Sequence, residues 1–404
     1  MAKPFPGLLS LVIVCADSVW TEAPARAQAA ASVAEIPVSS AQVRRALAQA
    51  IGAEDRAAVA ANSWLLARMG GALSDGTRAR IAPLFPDGSA SLPGELDTLF
   101  DANAVPIAAS SLVDSIPVEH RLVEGVAFDP VRRRLFAGSV VDRRLLVRGP
   151  EGWAPVPIDN LGGVFGMAID LERRLVWLAT GWAEPVPEGR AVFAGLVAID
   201  LDRLTERRRI AMPGVQPGDV AIGRDGSLFV SDGQAGTIHV CRPGCSAAQI
   251  LVAPGRLRSP QGMVPWSDDR HLIVADYSHG LFRIDIASGA VEPILPAAPA
   301  MLEGMDGLLL HRGRLLAIQN GSLPRRILAL SLDREASAIS SIEVLERAHP
   351  EWGEPTLGTM DGDRLLYVAD AQWERFGAGG ALQGEDALRP TAIRALPIPS
   401  SDPD

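Results

Sequence analysis

The chain has 404 residues, of which 48% are hydrophobic and 21% are charged, which is typical of a folded globular protein with a large core. Its formal net charge is −10, and this acidity argues against a nucleic-acid-binding surface.

The N-terminal segment resembles a secretory signal in its composition. Lys3 precedes an apolar run over residues 8–16, and two small-x-small triplets follow within residues 25–29. The apolar run is too short to span a bilayer as a helix, so no membrane span is expected. We therefore predict that residues 1–29 are a signal peptide and that the protein is periplasmic or secreted. The alternatives are a lipoprotein signal at Cys15 and an N-terminal tail without a function.

The next segment, residues 30–115, has the spacing of helices. Apolar positions at helical spacing and capping residues predict helices over residues 40–51, about 54–69, 75–81 and 94–101. We expect a small helical extension packed against the side or the bottom of the domain that follows. A lid or a docking arm is the alternative interpretation.

One sequence pattern, which we call the repeated phrase, occurs six times between residues 124 and 370. It consists of a small or acidic residue, three or four apolar residues, a turn and a second short apolar run, as in residues 260–276. Repeats of this size that contain only short strands and turns are typical of β-propellers. The sequence therefore predicts an all-β, six-bladed β-propeller over residues 116–398. Residues 116–119 are expected to supply the outer strand of the last blade and so close the ring.

Two cysteines flank a tight turn in the third blade. Cys241 and Cys245 enclose Arg-Pro-Gly, and a Pro-Gly turn brings such side chains together. In an oxidising compartment they should form a disulfide. A metal clip is the alternative, but it would need further ligands nearby.

The direction of the strands places the starts of all inner strands at one edge of the ring, which we call the top. Four polar residues at these starts should face one another across the central tunnel: Glu124, Asp219, Gln261 and Asp306. Crowded carboxylates repel one another and persist where a cation neutralises them. Hard oxygen ligands of this kind suit a divalent cation, Ca²⁺ above all. The alternative is that the acids only cap strand ends.

The turns between second and third strands form the rim of the same opening. The rim carries aromatic, basic and amide side chains, namely Trp182, Arg190, Tyr277, Asn320, Arg325 and Trp373. Such side chains on loops over a charged tunnel suggest a small organic substrate. His279 lies in one of these turns and could accept a proton from a cation-bound water, although a solvent-exposed turn histidine is the alternative.

The sequence resembles a known superfamily at three of these positions. Glu124-Gly125, Gln261-Gly262 and Asp306-Gly307 look like the metal-binding positions of the SMP-30/gluconolactonase/LRE-like proteins, which are similar to paraoxonases and strictosidine synthases. The resemblance implies a six-bladed propeller with a divalent cation, often Ca²⁺, in the tunnel, and many members are lactonases or esterases. It implies that Glu124 and Asp306 are cation ligands, that Asp306 has an acid/base role, and that Gln261 replaces a ligand asparagine.

The sequence also departs from that pattern. Gly218 precedes Asp219 where paraoxonase-like members have Asn-Asp, and Phe165-Gly166 stands where the gluconolactonase branch has Asn-Asp.

These observations lead to a first hypothesis of a metal-dependent hydrolase acting on a lactone or an ester, with Asp306 and His279 as catalytic residues. The second hypothesis is a non-catalytic periplasmic propeller that binds a ligand or a protein partner. A quinone-dependent dehydrogenase is a third, but the tunnel shows no basic cluster for an acidic cofactor.

Overall fold

A computed structural model describes residues 39–85, 94–187, 192–384 and 387–399. Within them the chain forms six sheets arranged as the blades of a propeller, preceded by a helical segment. The predicted six-bladed fold is therefore confirmed. The predicted signal segment and Arg190 lie outside the described residues.

The helical segment begins where the sequence predicts. Its helices are α1 (Ser40–Gly52), α2 (Arg56–Arg68), α3 (Asp75–Ile81) and α4 (Gly94–Ala104). Ser39, Asp55 and Ser74 cap the first three, each accepting a hydrogen bond from a backbone amide of the first turn. None of the helices in the described ranges has both the length and the apolarity that crossing a membrane requires.

The strands follow in chain order. A first strand, β1 (Ser111–Ile116), precedes the blades. Blade one contains β2 (Val123–Asp129), β3 (Arg134–Ser139), β4 (Arg144–Gly149) and β5 (Gly152–Pro155). Blade two contains β6 (Gly163–Asp170), β7 (Leu175–Gly181), β8 (Gly195–Asp200) and β9 (Glu206–Ala211). Blade three contains β10 (Asp219–Ile222), β11 (Leu228–Asp232), β12 (Thr237–Cys241) and β13 (Gln249–Val252).

The second half of the ring repeats this order. Blade four contains β14 (Pro260–Pro265), β15 (His271–Asp276), β16 (Gly280–Asp285) and β17 (Val291–Pro293). Blade five contains β18 (Leu295–Pro296), β19 (Met305–His311), β20 (Arg314–Gln319), β21 (Arg326–Leu332) and β22 (Ala338–Arg347). Blade six contains β23 (Gly358–Asp361), β24 (Arg364–Val368) and β25 (Thr391–Pro397).

The ring is closed by the strand that precedes blade one. β1 pairs antiparallel with β25, so the first strand completes the last blade. The closing strand is Ser111–Ile116, whereas residues 116–119 were predicted. Pro117 explains the difference, because a proline cannot donate to the ladder and ends the strand at Ile116.

The core lies between neighbouring blades. Between blades one and two, for example, Phe136 and Leu145 pack in one cluster with Leu178 and Val197, all fully buried. Because the middle strands of a blade are covered on both faces, they are continuous apolar runs instead of alternating ones, as in β7 and β20. This packing fixes the inner strands around the tunnel.

Cys241 and Cys245 form a disulfide with a Cα–Cα distance of 5.6 Å. It links the end of β12 to the turn that leads into β13. The bond therefore fastens one end of blade three and lies outside the tunnel.

The helical segment contacts blade five at its top edge, and the predicted packing against the side or bottom is wrong. The Ala72 amide donates to the carbonyl of Leu323 at 2.8 Å, in the turn after β20. Arg347, at the end of β22, donates to the carbonyls of Ala102 and Val105 at 2.8 Å. In this antiparallel sheet the start of β19 and the ends of β20 and β22 lie at the same edge. The tunnel mouth lies at this edge too.

Candidate active site

The inner strands approach one another closely at the top of the tunnel. The Gly166 amide of blade two donates to the Gly218 carbonyl of blade three at 3.0 Å. Between blades six and one, the Thr356 hydroxyl donates to the Glu124 carbonyl at 2.6 Å. These contacts bring the first residues of neighbouring inner strands together, which is where the candidate acids lie.

Glu124 belongs to β2 of blade one and is buried, with 8% of its surface exposed. The indole nitrogen of Trp373 donates to its Oε2 at 2.5 Å. Burial, and after it the negative charge of Asp306, hold the pKa of Glu124 well above its usual range, and the bond from Trp373 opposes this rise. Glu354 and Asp219 also contribute repulsion.

Asp219 begins β10 of blade three. Burial raises its pKa to about 7, the charge of Asp306 adds to the rise, and hydrogen bonds from the amides of Val220 and Met263 oppose it. Gly166 leaves the room that this carboxylate needs, since a Cβ at Gly166 would lie 2.0 Å from Asp219 Oδ1. Gly166 stands at one of the positions where the sequence departs from the superfamily pattern. The space that Asp219 occupies explains why a glycine is found there.

Asp306 follows Met305 at the start of β19 in blade five. Asn320 Nδ2 donates to its Oδ2 at 2.8 Å, and the Tyr277 hydroxyl donates to Asn320 Oδ1 at 3.1 Å. Burial raises the pKa of Asp306 to about 6, while the bond from Asn320 opposes the rise. Two of the predicted rim residues therefore hold one of the predicted acids.

Glu354 is a fourth acid of the group, and the sequence reasoning missed it. Burial and the charge of Asp306 raise its pKa to about 7, and Arg325 opposes the rise. It lies in the connection before β23, three residues before the Leu357 that the repeat marks as a strand start. The sequence feature that could have identified Glu354 as a site residue is its position in a connection that leads to the top edge. We call Glu124, Asp219, Asp306 and Glu354 the acid cluster.

Gln261, the predicted amide ligand, lies in β14 of blade four. Its Nε2 donates to Ser259 Oγ at 3.1 Å. Its Oε1 lies 4.0 Å from the position that a Cβ on Gly218 would occupy. The orientation fixed by Ser259 turns the amide oxygen toward Gly218, the residue next to Asp219.

The rim residues differ in their distance from the acids. Trp373 contacts Glu124 and stacks on Phe165, with ring centroids 6.5 Å apart and planes 11° apart. Arg325 is exposed and donates to the carbonyl of Gly353 at 2.5 Å, beside Glu354. Trp182 is 36% exposed on the rim of blade two, where its amide donates to Gln216.

The structure does not bring His279 to the acid cluster. Its side chain is 59% exposed, and its Nδ1 lies 3.5 Å from Asp276 Oδ1 in the same turn. Among the groups that act on the pKa of Asp219, Asp306 and Glu354 in the described residues, His279 does not occur. Its catalytic role therefore stays a prediction.

The acid cluster is coupled by charge but is not spaced as a finished metal centre. No three His, Cys, Asp or Glu side chains in the described residues are grouped in a way that could hold a metal ion. In the same part of the chain, the groups that shift the pKa of Asp219 and Asp306 include no basic side chain. Within these residues, the groups that stabilise the charged forms of the two acids are neutral hydrogen-bond donors, namely Asn320 for Asp306 and the amides of Val220 and Met263 for Asp219.

The fold and the buried acids define a six-bladed propeller with an acidic tunnel mouth. No protein-family model matches the chain, and no curated protein matches its sequence.

Several solved propellers are similar in structure. A gluconolactonase from Xanthomonas campestris is 16% identical, with a TM-score of 0.46 over 73% of this chain and 100% of that one. The calcium-binding protein regucalcin from Agrobacterium tumefaciens is 14% identical, with a TM-score of 0.46 over 71% and 94%. The PQQ-bound aldose sugar dehydrogenase from Streptomyces coelicolor is 14% identical, with a TM-score of 0.48 over 72% and 99%. At these identities the similarity concerns the fold alone.

Proposed function

We propose that the protein is a divalent-cation-dependent hydrolase of a small lactone or ester, with its site at the top of the tunnel. The observation that carries this proposal is the acid cluster, in which burial raises the pKa of carboxylates from blades one, three and five, and the charge of Asp306 raises the pKa of Glu124 and Asp219 further. Keeping such groups buried together is costly unless a ligand of opposite charge uses them.

The donor set suits a cation by its chemistry. Glu124, Asp219 and Asp306 would provide carboxylate oxygens and Gln261 an amide oxygen, which is a set that Ca²⁺ accepts in flexible geometry. Without the cation, the negative charge of Asp306 opposes ionisation of Glu124 and Asp219. Binding would replace that repulsion by attraction.

When bound, a cation in this position supplies polarisation of a substrate carbonyl and a lowered pKa for its water. The side chains have separate tasks. Asn320 orients Asp306, whose carboxylate would take the proton of the attacking water and return it to the leaving alcohol. Trp373, stacked on Phe165, would hold the Glu124 carboxylate in place through the bond from its indole nitrogen.

The charge of the site bears on the substrate. An acidic tunnel mouth repels anions, so a neutral lactone or ester is favoured over a carboxylate-bearing molecule. The same repulsion disfavours an acidic quinone cofactor, because the groups acting on Asp219 and Asp306 in the described residues include no basic side chain. The quinone-dependent dehydrogenase is therefore the weakest of the three hypotheses.

The test is hydrolysis of a panel of lactones and esters with Ca²⁺ and with a chelator. We expect turnover that is lost on chelation and restored by Ca²⁺, and that falls at least about 100-fold in Asp306→Asn. Asp170→Asn is the matched control, since this buried acid lies at the opposite end of an inner strand and pairs with Arg173. Turnover that survives both chelation and Asp306→Asn would contradict the proposal.

The second candidate function is a propeller that binds a ligand or partner without catalysis. The observation in its favour is that the described residues hold no ready-made metal group. It predicts no turnover on the panel for either the wild type or the control variant, together with a partner recovered from the periplasmic fraction.

We also propose that the protein is exported. The Cys241–Cys245 disulfide and the signal-like composition of residues 1–29 support this location. N-terminal sequencing of the exported protein is expected to begin after the triplets within residues 25–29; a cytoplasmic chain that keeps Met1 would contradict it.

A further inference from the structure

The helical segment is tied to blade five through one buried carboxylate. Glu303 is 5% exposed and lies in the connection between β18 and β19 of blade five. Its Oε2 accepts from the Ser40 hydroxyl at 2.5 Å, and its Oε1 accepts from the Ala41 amide at 3.2 Å. Both donors belong to the first turn of α1, so the carboxylate holds the beginning of that helix.

The same connection leads directly into the strand that carries Asp306. Gly304 donates to the Tyr277 carbonyl at 2.7 Å, and Gly321 donates to the Gly304 carbonyl at 3.0 Å. The backbone at Gly304 has φ of +73°, and a Cβ there would lie 2.7 Å from the Gly321 backbone. The connection is therefore closely held on both sides between the rim turns of blades four and five.

A second path joins Glu303 to the partner of Asp306. Gln319 Nε2 donates to the carbonyls of Glu303 at 2.7 Å and Met301 at 2.9 Å. Arg326 is buried and donates from Nε to Gln319 Oε1 at 2.8 Å, which fixes the amide. The next residue after Gln319 is Asn320, the donor to Asp306 at 2.8 Å. Each step of this path is a direct hydrogen bond or a peptide bond.

We propose that Glu303 is a positioning residue through which helix α1 fixes Asp306 and Asn320 at the tunnel mouth. The helical segment then helps to position residues of the site, in addition to packing against the propeller. The role of Asp306 rests on the proposed function, but the mechanical link from α1 to Asp306 does not. If Glu303 only anchored the helix, disturbing Ser40 would cost stability without affecting the strand that follows residue 303.

Double-mutant cycles measured by urea unfolding in chelator test the link without any cation. One cycle combines Ser40→Ala with Asp306→Asn, and the matched cycle combines Ser74→Ala with Asp306→Asn. Ser74 caps α3 by accepting from the Thr77 amide, within the same helical segment. We expect the Ser40 cycle to be non-additive by more than about threefold in the unfolding equilibrium constant, and the Ser74 cycle to be additive within about twofold. Two additive cycles would overturn the proposal.

A second measurement separates positioning from stability. Ca²⁺ affinity, measured by titration calorimetry, should weaken roughly 2- to 30-fold in Ser40→Ala and in Glu303→Gln and stay unchanged in Ser74→Ala. Equal affinities in the Ser40 and Ser74 variants would count against positioning. A wild type that binds no Ca²⁺ would contradict the proposed function, while the unfolding cycles would still decide the link.

Discussion

The indole nitrogen of Trp373 donates a hydrogen bond of 2.5 Å to Oε2 of Glu124, and so joins the rim of blade six to the inner strand of blade one. The bond favours the charged carboxylate and opposes the rise in pKa that burial causes. Trp373, a rim residue, thus favours the charged form of Glu124, a candidate cation ligand.

Replacing this donor should weaken cation binding. In Trp373→Phe the ring can still stack on Phe165, but Glu124 loses a hydrogen bond to its charged form and its pKa rises further. We expect Ca²⁺ binding at pH 7 to weaken by about 1.5–3 kcal/mol, measured by titration calorimetry.

The matched control is Trp153→Phe in β5, the outer strand of blade one, where the indole donates to Asp114 of β1 at 3.3 Å. An equal loss of affinity in both variants would show that the Trp373–Glu124 bond has no special role.

Gly166 should be intolerant of a side chain. In Gly166→Ala the added Cβ would lie 2.0 Å from Asp219 Oδ1 and 2.7 Å from its Cα, so the start of β10 must shift. We expect a loss of about 1–3 kcal/mol in the free energy of unfolding, together with weaker Ca²⁺ binding.

Gly76→Ala is the comparison, since nothing lies within 4 Å of a Cβ at that helical position. It is expected to keep both properties or to gain a little stability. A Gly166→Ala protein with wild-type stability and affinity would argue against close contact between blades two and three.

The chain from Tyr277 through Asn320 to Asp306 should appear in the pH profile of the activity. The bond from Asn320 lowers the pKa of Asp306, so its removal in Asn320→Ala raises that pKa. We expect the acidic limb of kcat/KM to move to higher pH in Asn320→Ala, and to move less in Tyr277→Phe, which loses only the bond to Asn320. Unshifted profiles in both variants would exclude Asp306 as the group that titrates.

The acid cluster predicts an unusual pH dependence of stability in chelator. Folding raises the pKa of Asp219 and Glu354 to about 7 and that of Asp306 to about 6, so the folded state holds more protons than the unfolded state. Stability from these groups is therefore lost as pH rises through their folded pKa. Below about pH 6.5, His239 and His349 act in the opposite sense, because burial lowers their pKa.

The informative window is thus pH 6.5 to 8. Urea unfolding should show a fall of about 1 kcal/mol across it, reduced in Asp219→Asn. Saturating Ca²⁺ should stabilise the protein more at pH 8 than at pH 6.5, since the ligands must be ionised. A free energy of unfolding that is constant or rises across the window would contradict the coupling of the acids.

The sequence was informative where the repeat fixes geometry. Short apolar runs of regular spacing can only be covered on both faces by radial packing, so the six blades and the positions of Glu124, Asp219 and Asp306 at strand starts followed from the pattern. The closing strand lies before the predicted segment because Pro117 ends the ladder at Ile116, three residues before the predicted end at residue 119.

Features that depend on contacts between distant segments could not be predicted from the sequence. Glu354 lies in a connection and not in a repeated phrase, and its pKa depends on Asp306, 48 positions earlier in the chain. The site of helical packing depends on Glu303 and Leu323, whose partners Ser40 and Ala72 carry no distinctive motif. His279 was placed in the correct turn, but the turn directs it to Asp276.

Cation binding by the acid cluster can be measured by metal analysis of the purified, undialysed protein, with Asp306→Asn and the control Asp170→Asn prepared in parallel. We expect about one divalent cation per chain in the wild type and in Asp170→Asn, and none in Asp306→Asn. A wild-type protein without a cation, or an Asp306→Asn variant that retains it in full, would show that the acid cluster is not a cation site.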